Sequence, residues 1–161
     1  MSVADNLRLV DRWLAAVNAE DWDELNRVYA DDVLAWASSW GPEERKTWPR
    51  SAIQANSDRF YKAWPDLHLE KEQAFGADDW VCLRVISSAT HQSAVHLADG
   101  PSIPPTGKKF RVCICIVFKI EDGRITQTLE YYDTAAWWRQ LGVSPPSVPI
   151  VMDSTKEIGA S

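Results

Sequence analysis

The chain is short of basic charge, of cysteine and of long hydrophobic runs. Its 161 residues carry 17 Lys and Arg against 23 Asp and Glu, a formal net charge of −6, with no basic tract. This balance argues against nucleic acid or an anionic membrane as a partner. No apolar run approaches the roughly 18–20 residues of a membrane-spanning helix. Residues 1–10 are polar and helical in pattern rather than a signal peptide, so we predict a cytoplasmic protein.

The cysteines are few and odd in number. Cys82, Cys113 and Cys115 fit reduced thiols in a cytoplasmic protein. The Cys-x-Cys pair puts two thiols on one face of a predicted strand, a pattern that is also compatible with a metal site. However, no second Cys or His pair stands at ligand spacing, and the neighbouring residues are apolar. We therefore interpret these thiols as small packing residues and predict no metal.

Length and tryptophan content indicate one domain with a large aromatic interior. A chain of 161 residues is long enough to bury a real hydrophobic core. Nine tryptophans are unusual. Core filling explains most of them, but a wide aromatic-lined pocket uses the same residues.

The first part of the chain is mainly helical in its periodicity, and strand-like periodicity begins at Leu67. Gly100 and three prolines mark Ala94–Thr106 as a loop between strands. Helices that precede a run of strands favour an α+β fold, with a curved sheet wrapped around a helical layer. The first two predicted helices run from Ser2–Asp5 through Val17 and from Asp21 through Tyr29. A predicted strand, Val33–Trp40, follows. A third predicted helix has Thr47 as its cap and Pro49 in its first turn, and it ends before Pro65. The predicted long strands are Trp80–His91, Phe110–Ile120 and Arg124–Tyr132.

The last two strands form a predicted hairpin that ends in a pair of carboxylates. Gly123 closes the turn between them, because a tight antiparallel connection needs a positive φ. Glu130 lies within the second strand, where a carboxylate beside apolar residues costs several kcal/mol unless it is paired or protonated. Asp133 directly precedes a short helix, Thr134–Leu141, so we expect it to cap that helix rather than to act in catalysis. We divide the chain into a domain, residues 1–142, and a Pro-containing tail, residues 143–161.

Several short motifs occur in the order and spacing of one family. They cover roughly residues 5–142 and are Ala16-Val17-Asn18, Trp22, Tyr29-Ala30-Asp31-Asp32-Val33, Ala63-Trp64-Pro65-Asp66-Leu67, Thr90-His91, Pro104-Pro105-Thr106-Gly107-Lys108, Asp122-Gly123-Arg124-Ile125, Asp133 and Gln140-Leu141-Gly142. With them the chain resembles the SnoaL-like polyketide cyclases of the nuclear-transport-factor-two-like superfamily. Each motif alone is weak, but their order makes the resemblance specific.

The resemblance implies a fold, a reaction and an acid. The fold is a cone of helices against a strongly curved sheet, open at one end, with the ligand inside. The reaction is an intramolecular aldol ring closure with no metal or organic cofactor. The family's general acid/base lies seven positions after the turn glycine, which is Glu130 here. Burial among apolar groups raises a carboxyl pKa toward neutrality and so suits this role.

The chain departs from the family pattern in its support for the acid. Family cyclases place His and Gln on the preceding strand, where this chain has Ile116 and Ile114, and Ala35 stands near a frequent family Asn. The pocket is therefore more apolar than usual. Either the substrate is more hydrophobic, or another reaction is catalysed, or none. His91 matches a family position and is a candidate to touch ligand or assist proton transfer, although a lone His is more often structural.

The predicted ligand contacts are mostly aromatic. For Asn56, a boundary position partly in water is the preferred interpretation, and a pocket-facing amide that orients a ligand carbonyl is the alternative. Tyr132 shares the face of Glu130 and could donate a hydrogen bond to the same ligand. The substrate-binding residues that we predict are Trp13, Trp36, Trp40, Asn56, Phe60, Trp64, Ile114, Ile116 and Tyr132.

The opposite face of the hairpin predicts a homodimer. If Ile114 and Ile116 face the cavity, alternation turns Cys113, Cys115 and Val117 outward as an apolar centre. Such a centre requires cover, which a second subunit often supplies in this superfamily. The alternative is that the C-terminal tail covers it.

Two classes of function remain from the sequence. The first is a cofactor-independent cyclase, isomerase or dehydratase that acts on a hydrophobic intermediate through Glu130. An epoxide hydrolase is a minor variant and would require Arg84 to bridge Glu130 and Asp133. The second class is a non-catalytic small-molecule binder.

Overall fold

The computed structural model describes residues 2–39, 43–95 and 103–143, in which four helices pack with a six-stranded sheet. The elements are α1 Val3–Ala19, α2 Trp22–Val28, β1 Tyr29–Ala37, β2 Lys46–Pro49, α3 Arg50–Ala63, β3 His68–Ala77, β4 Trp80–Thr90, β5 Lys109–Glu121, β6 Arg124–Tyr132 and α4 Thr134–Leu141. The predicted α+β class is confirmed.

The strands form one sheet in the order β2-β1-β6-β5-β4-β3. β1 and β6 pair in parallel, and the other neighbours are antiparallel. Register shifts interrupt the β1–β6, β3–β4 and β5–β6 pairings. Irregularities of this kind bend and twist a sheet, which lets its inner face curve around the helices.

The N-terminal helices cover the inner face of the sheet. α1 begins at a capping box, in which Ser2 and Asp5 satisfy each other's backbone N–H groups. Asp21 caps α2 as predicted, accepting from the backbone N–H of Glu24 at 3.0 Å. The main core lies between these helices and β3–β6, and its fully buried members include Val10 and Phe118.

Two boundary predictions around β1 are wrong. Tyr29 begins β1 and does not end α2, and Thr47 lies in β2, opposite Leu34, and does not cap α3. Pro49 takes the cap position of α3 with no side-chain hydrogen bond. The reason is the pairing of β1 with β2 and β6, which joins segments far apart in the sequence and favours the extended conformation of these β-compatible residues.

The β5–β6 hairpin forms as predicted. Asp122 and Gly123 have φ of 49° and 74°, the two positive values that a type I′ turn requires. Along β5 the buried inward residues, Ile116 and Phe118, alternate with outward residues such as Cys113, which is exposed. The predicted division of this strand into an inner and an outer face is confirmed.

The C-terminal helix packs on the far end of the same hairpin. Asp133 caps α4 by accepting from the backbone N–H of Ala136 at 2.9 Å, as expected, and Gly142 ends it with a φ of 70°. Trp138 and Leu141 join a second core cluster. Residues 144–161 of the predicted tail and 96–102 of the predicted loop lie outside the described residues. No helix in the described ranges is long and apolar enough to cross a membrane.

Candidate active site

A cavity of about 470 Å³ lies between the inner face of the sheet and helices α1–α3. This is the size range of small-molecule sites. Its lining is mainly aromatic and aliphatic, and no Lys, Arg or His of the described residues contributes to it. The groups with polar atoms on the lining are Trp13, Trp22, Tyr29, Trp36, Trp48, Asn56, Ser57, Tyr61, Ser87, Thr128, Glu130 and Tyr132.

Glu130 is the acidic residue of this lining. β6 places it between Ile116 of β5 and Ala37 of β1, which are its register partners on the two sides. In the part of the chain that the structure describes, no hydrogen bond or ion pair of its carboxyl group is found. Burial alone raises the pKa of Glu130 above its usual value. The carboxyl group is thus held next to apolar side chains with its oxygens available to a ligand.

Such a carboxyl group is chemically useful because burial raises its pKa and so favours proton uptake. A carboxylate in apolar surroundings is costly, and a raised pKa makes it a stronger base than a solvated one. The protonated form can return the proton in a later step. The arrangement can therefore move a proton on a bound molecule without any other acid or base.

Three tyrosines place phenol groups along the lining. Tyr61 donates to the carbonyl oxygen of Val17 at 3.1 Å, and the Tyr132 and Ser39 hydroxyls lie 3.1 Å apart. The Tyr29 oxygen accepts from the Trp13 indole N–H at 2.7 Å. Burial raises the pKa of each of the three phenols, to about 12 for Tyr61, so all three stay protonated at neutral pH.

Most of the predicted ligand contacts border this cavity. Trp13, Ile114, Ile116 and Tyr132 line it together with Glu130. Asn56 and Phe60 line it from α3 and are exposed to solvent, Phe60 by 44 %, so they mark its mouth. For Asn56 the two interpretations combine, because it is a boundary residue whose amide also borders the cavity.

Trp36 borders the cavity from β1, although its register position alternates with those of Ala35 and Ala37. Trp36 is the register partner of Leu129, and its ring centroid lies 5.2 Å from that of Tyr131, whose side chain points to the outer face. Ala35 and Ala37 take the inward positions of β1 instead. That Trp36 binds substrate stays a prediction, since it borders the cavity. Trp40 lies outside the described residues.

Trp64 lies in the second core cluster with the buried His91 beside it, and neither residue lines the cavity. Trp64 is fully buried, and its ring is stacked on that of His91 with 4.7 Å between centroids. The backbone N–H of Thr106 donates to His91 Nδ1 at 3.2 Å, which assigns the neutral tautomer with its proton on Nε2. Burial lowers the pKa of His91 and keeps it neutral. His91 therefore lies apart from the cavity that Glu130 lines, because it is stacked on Trp64 and hydrogen-bonded to Thr106.

The alternative arrangement of Arg84, Glu130 and Asp133 is not assembled. Arg84 points outward from β4 and pairs with Glu72 at 3.1 Å, whereas Asp133 caps α4. On the same outer face the Cys82 and Cys115 sulfurs lie 3.2 Å apart. Within the described ranges, no three His, Cys, Asp or Glu side chains are grouped as metal ligands.

Sequence reasoning missed several lining residues, above all Tyr29, Trp48, Ser87 and Thr128. Strand alternation predicts Thr128 on the lining, since it lies two residues before Glu130 on the same face of β6. Ser87 follows from the inward face of β4 once its pairing with β5 is known. Tyr29 and Trp48 were assigned to the wrong elements, and no local signal placed them on strands.

Within the described residues, the α+β fold encloses an apolar cavity with one acidic side chain on its lining, an arrangement typical of small-molecule sites. The chain belongs to the SnoaL-like polyketide cyclase family, whose model matches residues 8–141. It is similar to AclR of Streptomyces galilaeus, a proposed hydroxylase, with 22 % identity, a TM-score of 0.71 and coverage of 89 % of this chain and 100 % of that one.

Two further solved structures have the same fold. IdmH of Streptomyces antibioticus, a proposed polyketide cyclase, is 21 % identical with a TM-score of 0.69, over 86 % of this chain and 99 % of that one. An LEH-like epoxide hydrolase of M. tuberculosis is 17 % identical with a TM-score of 0.65, over 86 % and 90 %. No curated protein matches the chain. Since the fold accompanies different named activities, the activity of this chain must be argued from its own site.

Proposed function

We propose that this chain is a cofactor-independent enzyme that transfers a proton at a carbon next to a carbonyl group, in a neutral and hydrophobic polyketide-like molecule. The observation that carries the proposal is Glu130, a carboxyl group with a raised pKa and no partner among the described residues, inside a largely apolar cavity. Such a group is a functional-site candidate because nothing else in its surroundings offsets the cost of burying it.

The proton transfer leads to ring closure. The Glu130 carboxylate takes the α-proton, and the C–H electron pair forms an enolate. The enolate carbon attacks a second carbonyl of the same molecule, and the resulting alkoxide takes the proton back from the Glu130 carboxylic acid. The same first step also serves an isomerase or a dehydratase.

The cavity lining supports a neutral substrate. No cationic side chain of the described residues borders it, so a carboxylate or phosphate group would enter unpaired. The indole and phenol rings instead offer apolar area with a few hydrogen-bonding edges. The volume of about 470 Å³ suits a molecule of a few fused rings.

The test uses a probe ketone, because the enzyme can be assayed for its first step alone. Exchange of the α-protons of 2-tetralone into D₂O is followed by proton NMR. We expect the wild type to accelerate exchange and Glu130→Gln to lower the enzymatic rate by about 10²–10⁴-fold. Glu44→Gln, a change of the same kind at an exposed position, leaves the rate unchanged. Equal rates for wild type and Glu130→Gln would refute the role of Glu130.

A non-catalytic binding protein is the second candidate, and Ile114 and Ile116 favour it. They give Glu130 aliphatic neighbours on β5, where a catalytic carboxyl commonly has a polar group to orient it. In that case 2-tetralone binds to the wild type, seen by tryptophan fluorescence, and no exchange above the buffer rate occurs.

The proposal includes a homodimer through the outer face of the sheet. One row of register partners crosses that face from β3 to β1 and consists of Phe75, Cys82, Val117, Leu129 and Trp36. Phe75 is 58 % exposed and Tyr131, beside the row, is 46 % exposed. Contiguous apolar surface of this kind is typical of subunit interfaces. Cover by residues 144–161 is the competing explanation.

A further inference from the structure

The Trp13–Tyr29 pair leaves one hydrogen-bond donor inside the cavity for which the described part of the chain provides no acceptor. An indole N–H can only donate, so in the 2.7 Å contact the Tyr29 oxygen is the acceptor. The phenol proton must then point elsewhere. Across the described residues, no acceptor for it is found, and Tyr29 lines the cavity while only 8 % exposed.

The other two phenols of the lining have hydrogen-bond partners in the protein. Tyr61 donates to the Val17 carbonyl, and Tyr132 and Ser39 share a hydrogen bond that either hydroxyl group can donate. Leaving a buried hydroxyl proton unsatisfied costs about 1–3 kcal/mol, so such a donor is expected to find an acceptor in the cavity contents. Tyr29 is therefore the phenol whose free donor a ligand oxygen would satisfy.

Tyr29 and Glu130 both line this cavity. Burial raises the pKa of Tyr29, and the negative charge of Glu130 contributes in the same direction. A molecule between them meets a proton donor on one side and a proton acceptor on the other. This is the pair of groups that an enolisable carbonyl compound requires, one for its oxygen and one for its α-carbon.

We propose that the Tyr29 O–H binds the carbonyl oxygen of the substrate, with the Trp13 N–H holding the phenol in place, while Glu130 acts on the adjacent carbon. This inference deepens the proposed function and rests on it. As Glu130 takes the α-proton, the C–H electrons form the C=C bond and the carbonyl π electrons move to the oxygen. The Tyr29 O–H stabilises the negative oxygen and keeps its own proton. The substrate class is thus a neutral ketone.

Trp13 is a positioning residue in this scheme. Its N–H occupies a lone pair of the phenol oxygen, which fixes the rotation of the hydroxyl and makes it a stronger donor. Its ring also packs edge-on against Phe118, with 4.9 Å between centroids. Trp13→Phe keeps an aromatic ring at that contact and removes the N–H.

The first measurement is the rate of α-proton exchange of 2-tetralone. Removing one donor to a developing oxyanion costs about 10²–10³-fold in rate, and we expect a loss of this size for Tyr29→Phe. Trp13→Phe is expected to lose less, because the phenol remains. Tyr131→Phe removes the same hydroxyl from a tyrosine on the outer face and leaves the rate unchanged.

The second measurement does not depend on catalysis. 2-Naphthol and halogenated 2-naphthols of decreasing pKa mimic an enolate, and their affinities are measured by fluorescence in the Glu130→Gln background, where no carboxylate repels the probe oxygen. Affinity should increase as the naphthol pKa falls, and Tyr29→Phe should flatten this dependence and weaken binding at least about tenfold. Trp13→Phe should reduce the slope, which a purely structural loss of packing would not do.

The two experiments separate the two proposals. In one result the wild type does not accelerate exchange, and Tyr29→Phe abolishes the dependence of affinity on naphthol pKa. This result overturns the proposed catalysis and supports Tyr29 as the oxygen-binding group. The opposite result is exchange that requires Glu130, with an affinity that depends on naphthol pKa in the same way in Tyr29→Phe as in Tyr131→Phe. This result supports the catalysis and overturns the assignment of Tyr29.

Discussion

Glu130 and Ile116 stand directly opposite each other on β6 and β5. On an antiparallel pair, opposite residues have Cβ atoms about 4.5–5.5 Å apart, so the carboxyl group meets an aliphatic side chain where a hydrogen-bond donor could have been. The third strand of this group, β1, contributes only the methyl group of Ala37 at the corresponding position. The apolar setting of the acid is therefore built into the register of three strands.

The unfolding free energy should report the raised pKa of Glu130 directly. Because the folded chain holds the proton more tightly than the unfolded chain, the stabilisation is complete below the unfolded pKa of about 4.3 and is lost as pH rises through the folded value. We compare the unfolding free energy of Glu130→Gln with that of the wild type. The difference between them should shift in favour of Glu130→Gln from pH 4 to pH 8, by about 1.4 kcal/mol for each unit by which the folded pKa exceeds the unfolded one. Urea unfolding at both pH values measures this shift.

The control for that measurement is Glu44→Gln, which replaces an exposed carboxylate. Its stability relative to the wild type should be nearly the same at both pH values. If the stability of Glu130→Gln relative to the wild type is also independent of pH, then Glu130 has the same pKa in the folded and the unfolded chain, and the raised pKa is wrong.

Introducing a donor opposite the acid should lower its pKa. In Ile116→Gln the side-chain amide can donate to the carboxylate and so favours the charged form. We expect the Glu130 pKa to fall toward its ordinary value, as measured by ¹³C NMR titration of the labelled side-chain carboxyl carbon. Ile116→Leu keeps the volume and the apolar character and should leave the pKa where it is. An unchanged titration in Ile116→Gln would mean that the amide turns away from the acid.

The hairpin and its acid could be predicted because the information lies within about 25 residues. Strand alternation, the Asp122-Gly123 turn and the helix start at Asp133 are local features, and local rules assign each of them. The position of Glu130 on the inner face follows from Ile116 and Ile114 once the hairpin register is set.

The orientation of the aromatic residues could not be predicted in the same way. Trp36 faces outward because β1 pairs in parallel with β6, a pairing between segments almost 100 residues apart. Trp64 is removed from the cavity by packing against Phe110, His91 and Trp137, which come from three other parts of the chain. A tryptophan looks the same in sequence whether it fills a core or lines a cavity, so long-range packing decides its role.

Loss of the Asp133 carboxylate should affect stability and not catalysis. Its hydrogen bond to the backbone of Ala136 caps α4, and replacing such a cap by alanine costs about 0.5–2 kcal/mol. We expect this loss for Asp133→Ala in urea unfolding, and a much smaller one for Asp133→Asn, which can still accept the bond. The rate of 2-tetralone exchange should be the same in both variants as in the wild type. A rate loss in Asp133→Asn with normal stability would place Asp133 in the reaction instead.

The homodimer is the prediction that depends most on the outer face. Val117 lies at the centre of the row that crosses the sheet, between Cys82 and Leu129, so a lysine there would put an unpaired charge into the proposed interface. We expect the wild type to have twice the 18.2 kDa mass of the chain in sedimentation equilibrium, and Val117→Lys to be shifted toward the single-chain mass. Ala55→Lys, on the exposed side of α3, should stay dimeric. If residues 144–161 cover this face instead, the full chain has the single-chain mass, and only a chain that ends at Val143 associates through it.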